Sequence, residues 1–194
     1  MTASGTGGRI PAARGCLILW LGWTFTTVAV DYDMLPIELE LLLLILIANG
    51  VPVVAAAICG NWGARPLDGG WRLADGRRLL GDSKTWRGVL LAPLATGAGA
   101  ALLGLPVGIG VVVGIGSMLG DLLSSFVKRR LGLASSSMAL GLDQIPEVLL
   151  PLLVVAGEFE LTWLAIGWTV AGFVVLELGL SPVFFRLGIR NRPY

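Results

Sequence analysis

The sequence predicts an all-α integral membrane protein with five core transmembrane helices and two polar cytoplasmic loops, and three observations carry that prediction. The 194-residue chain is 55% hydrophobic and only 14% charged, with a mean hydropathy of +0.83; it is too apolar for one soluble domain and suited to a bilayer. Its apolar residues gather in runs long enough to cross roughly 30 Å of hydrocarbon. Its basic residues fall in alternate gaps between those runs, as short cytoplasmic loops require.

The five runs are residues 35–59, 89–103, 105–127, 145–157 and 161–185. The first and last are long and continuous, whereas the second and fourth are short and merge into polar loops. A sixth run, residues 16–30, would span only about 22 Å as a helix, and Thr24, Thr26 and Thr27 dilute it. Arg9 and Arg14 before it resemble the start of a signal peptide, but no small-x-small cleavage site precedes Asp31. Residues 1–34 therefore read as an extension with an uncleaved anchor or an interfacial helix, and residues 35–194 as one membrane-embedded domain.

With the amino-terminal run crossing, all basic residues lie on one side: Arg9 and Arg14, the 65–87 loop, Lys128 to Arg130, and Arg186, Arg190 and Arg192. The other side receives Asp31, Asp33, Glu38, Glu40, Glu158 and Glu160 and no base. This asymmetry places both large loops in the cytoplasm of a multi-pass cell-membrane protein. An interfacial amino-terminal run would move only Arg9 and Arg14.

Composition also narrows the chemistry. Histidine is absent, which removes the usual general base at neutral pH. Cys16 and Cys59 lack metal-ligand spacing and support neither a zinc site nor a disulfide framework. A net charge of +1 without a basic solvated face gives no sign of nucleic-acid binding. Gly110, Gly114 and Ser117 form the small-residue spacing that lets membrane helices approach closely.

Two segments beside the membrane carry the polar groups. Residues 61–88 combine glycines with Arg77, Arg78, Lys84 and Arg87, which suits either a polyphosphate or a connector that sets topology. GDSKT within it resembles the end of a P-loop, but the motif's glycine spacing is missing and no parallel strand is expected before it. In residues 120–147, Asp121, Ser124, Ser125 and Lys128 share one helical face with Gly114 and Ser117. A carboxylate inside an apolar helix costs about 2.5–3.5 kcal/mol to insert, so it lines a polar cavity or meets a partner, here Lys128 or Arg129. Asp143 reads as the N-cap of the next helix, ahead of Pro146. Together Asp121 and Asp143 offer oxygen ligands to a hard divalent cation, with magnesium the natural inference. Asn49-Gly50-Val51-Pro52 is expected to interrupt the first core helix, either lining a cavity or packed as a kink. Glu177 in the last helix is expected to pair with a cytoplasmic arginine.

Taken together, Ala48-Asn49 with Pro52-Val53, Asp68-Gly69-Gly70, GDSKTWRG at 81–88, GDLLSSFVKRR at 120–130 and Leu142-Asp143-Gln144 resemble the CDP-archaeol synthases, relatives of the phosphatidate cytidylyltransferases. The resemblance covers residues 35 to the end and implies five core membrane helices and a magnesium-dependent reaction. In that reaction CMP passes from CTP to a membrane lipid phosphate, 2,3-bis-O-geranylgeranyl-glycerol phosphate, and pyrophosphate leaves. It implies Asp121 and Asp143 as magnesium ligands and Lys84, Arg87, Lys128 and Arg129 as phosphate binders. Lys128 is counted with the catalytic pair, and Asn49, Asp68 and Ser124 are further candidates. A phosphate monoester with a second pKa near about 6 attacks without a general base, so the missing histidine is no handicap. Diacylglycerol phosphate as acceptor, or a non-catalytic lipid-binding or transport role, remain alternatives that no motif excludes.

Overall fold

The structure is a computed structural model that describes residues 35–135 and 137–188. The 16–30 run, Arg9, Arg14, Asp31, Asp33, Arg190 and Arg192 lie outside the described residues. Five helices follow in order: α1 (Ile37–Cys59), α2 (Trp86–Leu102), α3 (Val107–Arg130), α4 (Gln144–Val155) and α5 (Trp163–Arg186). They coincide with the five apolar runs. Among the described residues, α1, α3 and α5 are long and apolar enough to cross a bilayer by themselves. The 17-residue α2 spans about 25 Å and the 12-residue α4 about 18 Å at 1.5 Å per residue. Hydrogen-bonded turns extend α4 at both ends, through Asp143 N–H to Ala139 O and Phe159 N–H to Val155 O.

The helix ends follow from local chemistry. Pro36 and Pro106 stand immediately before α1 and α3, where a missing N–H costs nothing. Thr85 and Thr162 cap α2 and α5, their hydroxyls accepting from Gly88 N–H and Ala165 N–H. Lys128, Arg129 and Arg130 close α3 at the negative end of its dipole.

Packing centres on α3, which touches α1, α2 and α4, whereas α5 lies outside against α1 and α4. Glycines on two faces of α3 make this possible. A Cβ on Gly110 would lie 2.3 Å from Thr96 O and one on Gly114 2.7 Å from Pro93 Cα, both on α2. On the other face, a Cβ on Gly120 would lie 2.2 Å from Pro146 O and 2.7 Å from Glu147 Cα, on α4. Backbone-to-backbone approach of this kind is how membrane helices gain packing when the surrounding solvent is itself apolar. Leu41, Leu44, Ile45, Val113, Val148, Leu152 and Phe173 fill the shared core. The outer surfaces stay apolar, with Leu94, Leu102, Val154, Leu164 and Val175 all exposed, as lipid-facing positions must be.

Of the two readings of Asn49-Gly50-Val51-Pro52, the packed one holds, and the helix is not broken. α1 runs continuously through Pro52, whose ring packs where the start of α2 carries no side chain: a Cβ on Gly88 would lie 3.1 Å from Pro52 Cβ. The proline is a packed element of the α1–α2 contact.

Candidate active site

The site is assembled by the loop between α1 and α2. That loop folds back on itself through two isolated bridges, Pro66 with Thr85 and Arg72 with Arg78, reinforced by Leu67 N–H to Lys84 O at 2.7 Å and Leu79 N–H to Trp71 O at 2.9 Å. Asp68 is its hub. The fully buried Asp68 carboxylate pairs with Arg78 at 2.5 Å and accepts the backbone N–H groups of Gly70, Leu80 and Gly81 at 3.0 Å. Burial opposes that charge, but the Arg78 guanidinium and the three N–H donors hold its pKa far below the usual carboxylate range. Arg87 donates to the carbonyls of Gly60 and Trp62 at 3.1 and 2.6 Å, fastening the loop to the end of α1. Arg130, at the end of α3, reaches Asp75 and the carbonyls of Arg77 and Arg78. Asp68 and Arg87, both candidates for binding substrate, are thus engaged in holding the loop.

The construction delivers Lys84 onto α3. Its Nζ lies 2.5 Å from both carboxylate oxygens of Asp121, and each side chain is 19% exposed. Burial disfavours the Lys84 charge; Asp121 beside it, then Glu147 and Asp143, hold its pKa above the ordinary lysine value. The ammonium therefore stays charged across neutral pH and contributes a fixed positive charge. Asp121 was expected to pair with Lys128 or Arg129. The correction has a geometric cause: those bases lie two turns further along the same helix, about 10–12 Å away along the axis, whereas Lys84 arrives from across the bundle.

Lys128 instead forms a second pair, 2.6 Å from Asp143 Oδ1, and donates to Ser137 O at 3.0 Å. Asp143 Oδ2 accepts Ala139 N–H at 2.9 Å. Asp143 precedes α4 as expected but does not cap it: its backbone is already helical, at φ −77° and ψ −50°, and its side chain makes no capping bond. Its carboxylate turns back toward α3.

Glu147, from the first turn of α4, stands beside the first of these pairs. It is buried and lies within electrostatic reach of Asp121, Lys84 and Glu177 on α5. The sequence reading passed over Glu147, although the cost of a carboxylate in an apolar helix that singled out Asp121 applies equally to it. One turn deeper than Asp121, Asn49 Nδ2 donates to Ser117 Oγ at 2.9 Å and to Ile45 O at 3.0 Å. Ser124 is fully buried and donates to Gly120 O. Arg129 is buried beside the cluster, donating to Ala134 O at 2.7 Å and lying within electrostatic reach of Asp143. The structure thus gathers Lys84, Asp121, Lys128, Arg129, Asp143 and Glu147 at one end of the α3–α4 contact, with Asn49 just beyond.

Comparison with known proteins gives this cluster a family. Residues 32–194 match the CarS-like family, described as CDP-archaeol synthase. The chain is 43% identical to a CDP-archaeol synthase of Methanopyrus kandleri over 63% of this chain and 73% of that protein. It is 36% identical to one of Aeropyrum pernix over 86% of this chain and 97% of the relative. A solved structure, described as insight into an intramembrane enzyme for archaeal membrane lipid biosynthesis, superposes with a TM-score of 0.65 at 36% identity, covering 73% of this chain and 90% of that one. A match over most of the chain, with an all-helical membrane architecture in common, establishes that this chain belongs to the CDP-archaeol synthase family.

Proposed function

We propose that this chain carries out the reaction for which its family is named, moving CMP from CTP to an archaeal-type lipid phosphate at the Lys84–Asp121–Asp143 cluster, with both polar loops in the cytoplasm. One observation carries the assignment of the site: two lysine–carboxylate pairs and a third buried carboxyl meet where the polar loops join α3 and α4. An enzyme without histidine needs a reaction that positioning and charge can drive, and phosphoryl transfer from an already ionised phosphate is one.

The lipid phosphate oxygen attacks the α-phosphorus of CTP in line. The bond to the α–β bridging oxygen breaks, and pyrophosphate departs with the electron pair. A phosphate entering between the pairs accepts from Lys84 and Lys128, and their carboxylate partners then face a cation. The donors suit magnesium, because all are carboxylate oxygens. Among the described residues no three potential ligands converge as a ready cage, and magnesium commonly takes one or two protein carboxylates with waters and phosphates. Asp121 and Asp143 would hold it, with Glu147 beside Asp121; when bound, it neutralises charge developing toward the leaving group. The Asn49–Ser117 pair lies on the membrane side of Asp121, from which a lipid head group must approach. Arg129 supplies a further positive charge at the cytoplasmic end. The basic loops support the cytoplasmic orientation, which also gives access to a soluble nucleotide.

The test supplies purified protein with labelled CTP, magnesium and either ether-lipid or diacylglycerol phosphate. A CDP-lipid from the ether-lipid phosphate is expected. Folded protein yielding no product from either lipid overturns the reading, and equal product from both would widen the acceptor class.

A further inference from the structure

Exposed tryptophans stand at both ends of the bundle. Trp163 and Trp168 lie at the start of α5, after Glu158 and Glu160 and with no base anywhere in residues 131–185. At the opposite end, where α1 finishes and α2 begins, stand Trp62 and Trp86, 80% and 53% exposed. Each of these two ends an apolar stripe. On α2, Leu94, Leu90 and Trp86 recur every four residues along one face and are all exposed. On α1, exposed Val54 and Ile58 lead to Trp62 just beyond the helix. Such stripes face lipid, and a tryptophan at the end of one sits at the level of the head groups, with an apolar ring and a free N–H.

Arg65 sets this end apart. Arg72, Arg77, Arg78, Lys84 and Arg87 of the same loop each donate to a carbonyl or carboxylate. Among the described residues Arg65 makes no ion pair or side-chain hydrogen bond, and it is exposed. Its charge is not offset nearby in the chain, since neither residues 41–67 nor 83–120 contain an acid. Its place is fixed by its neighbours. Trp86 N–H donates to Arg65 O at 3.2 Å, and Arg87, next to Trp86, donates to Trp62 O at 2.6 Å. The two tryptophans and the arginine therefore belong to one edge of the loop.

We propose that Trp62, Arg65 and Trp86 form a binding site for the head group of an anionic membrane phospholipid. The lipid phosphate accepts from the Arg65 guanidinium, the indoles lie among the head groups, and the hydrocarbon chains follow the Leu90–Leu94 and Val54–Ile58 stripes. Tryptophans alone, as at the start of α5, take any phospholipid. The arginine adds a preference for negative charge, about fivefold for one basic residue at an anionic surface. Arg65 also leads directly into Pro66 and Leu67, which are joined to Thr85 and Lys84. A lipid held there anchors the strand that carries Lys84.

The test reconstitutes the full chain in vesicles of ether-linked phosphatidylcholine, with ether-linked phosphatidylglycerol added in rising fraction. A photoactivatable phosphatidylglycerol, reactive at its head group, should label the segments that hold Trp62, Arg65 and Trp86. Unlabelled phosphatidylglycerol should compete for those segments about fivefold better than phosphatidylcholine. Arg65→Gln should abolish that preference and Arg65→Lys should keep it, which separates loss of charge from loss of fold. Trp163→Phe, at the other end of the bundle, should leave it unchanged. Arg186→Gln deletes an exposed base at the end of α5, on the same side of the bundle as Arg65, and controls for charge in general. Equal competition by the two lipids in the parent overturns the proposal, as does a preference that survives Arg65→Gln. An equal loss in Arg186→Gln overturns it too, because the preference would then belong to the basic charge of that whole side.

Discussion

Asp68 and Asp121 are both aspartates held by a base, yet their surroundings differ in kind. Asp68 is sealed off and receives five donated hydrogen bonds, two from Arg78 and three from backbone N–H groups. Asp121 has one lysine, a fifth of its side chain exposed, and a second carboxyl, Glu147, beside it. A saturated carboxylate fixes a loop, whereas adjacent carboxylates attract further cations. On the proposed function, the contrast separates a residue that builds the site from one that works in it.

The sharpest way to break that comparison is to neutralise each aspartate. Asp121→Asn should lower turnover by at least about 100-fold, the scale of losing a group that stabilises transition-state charge, while thermal unfolding in detergent barely moves. Manganese binding followed by electron paramagnetic resonance should weaken with it. Near-normal turnover would remove Asp121 from the cation site. Asp68→Ala should show the reverse pattern. Leaving Arg78 and three N–H groups unmatched should cost about 3–5 kcal/mol, seen as rapid proteolysis within residues 60–85, with activity falling only as the loop opens. The pH dependence follows from the lowered Asp68 pKa. A depressed folded value contributes stability in full above the ordinary Asp value of about 3.9. That stability declines below it and disappears as pH falls through the folded pKa. Proteolytic protection of the loop should therefore be flat from neutrality down to the ordinary Asp value and fail only in stronger acid.

Most of the architecture was legible because it depends on short-range features. Apolar runs locate helices, and the glycines of α3 announce close packing before any partner is known. What the sequence did not disclose depends on contacts between distant residues. Lys84 and Asp121 are separated by 36 intervening positions, and their meeting depends on the bridges that fold the loop. Asp68-Gly69-Gly70 has the composition of a turn, and its role as hub appears only when Arg78 closes over it. Whether Pro52 lines a cavity or packs as a kink stays open in the sequence, because a proline removes an N–H wherever it sits; the absent side chain at Gly88 that accommodates its ring lies in another helix. Glu147 was the avoidable omission, since its sequence context carried the same signal as that of Asp121.

Thr85 tests the comparison most gently, because it joins the two regions. It follows Lys84 directly, is bridged to Pro66 of the Asp68 loop and caps α2 through Gly88 N–H at 3.3 Å. Thr85→Ala should cost about 1 kcal/mol of stability, the usual worth of a cap, and Thr85→Ser should restore it. The effect on catalysis discriminates more finely. A loop pinned by Asp68 and Arg87 should keep Lys84 over Asp121 without the cap, so turnover should follow the small stability loss and the KM for CTP should stay put. A large drop in turnover at unchanged stability would mean instead that the start of α2, rather than the Asp68 hub, sets the position of Lys84.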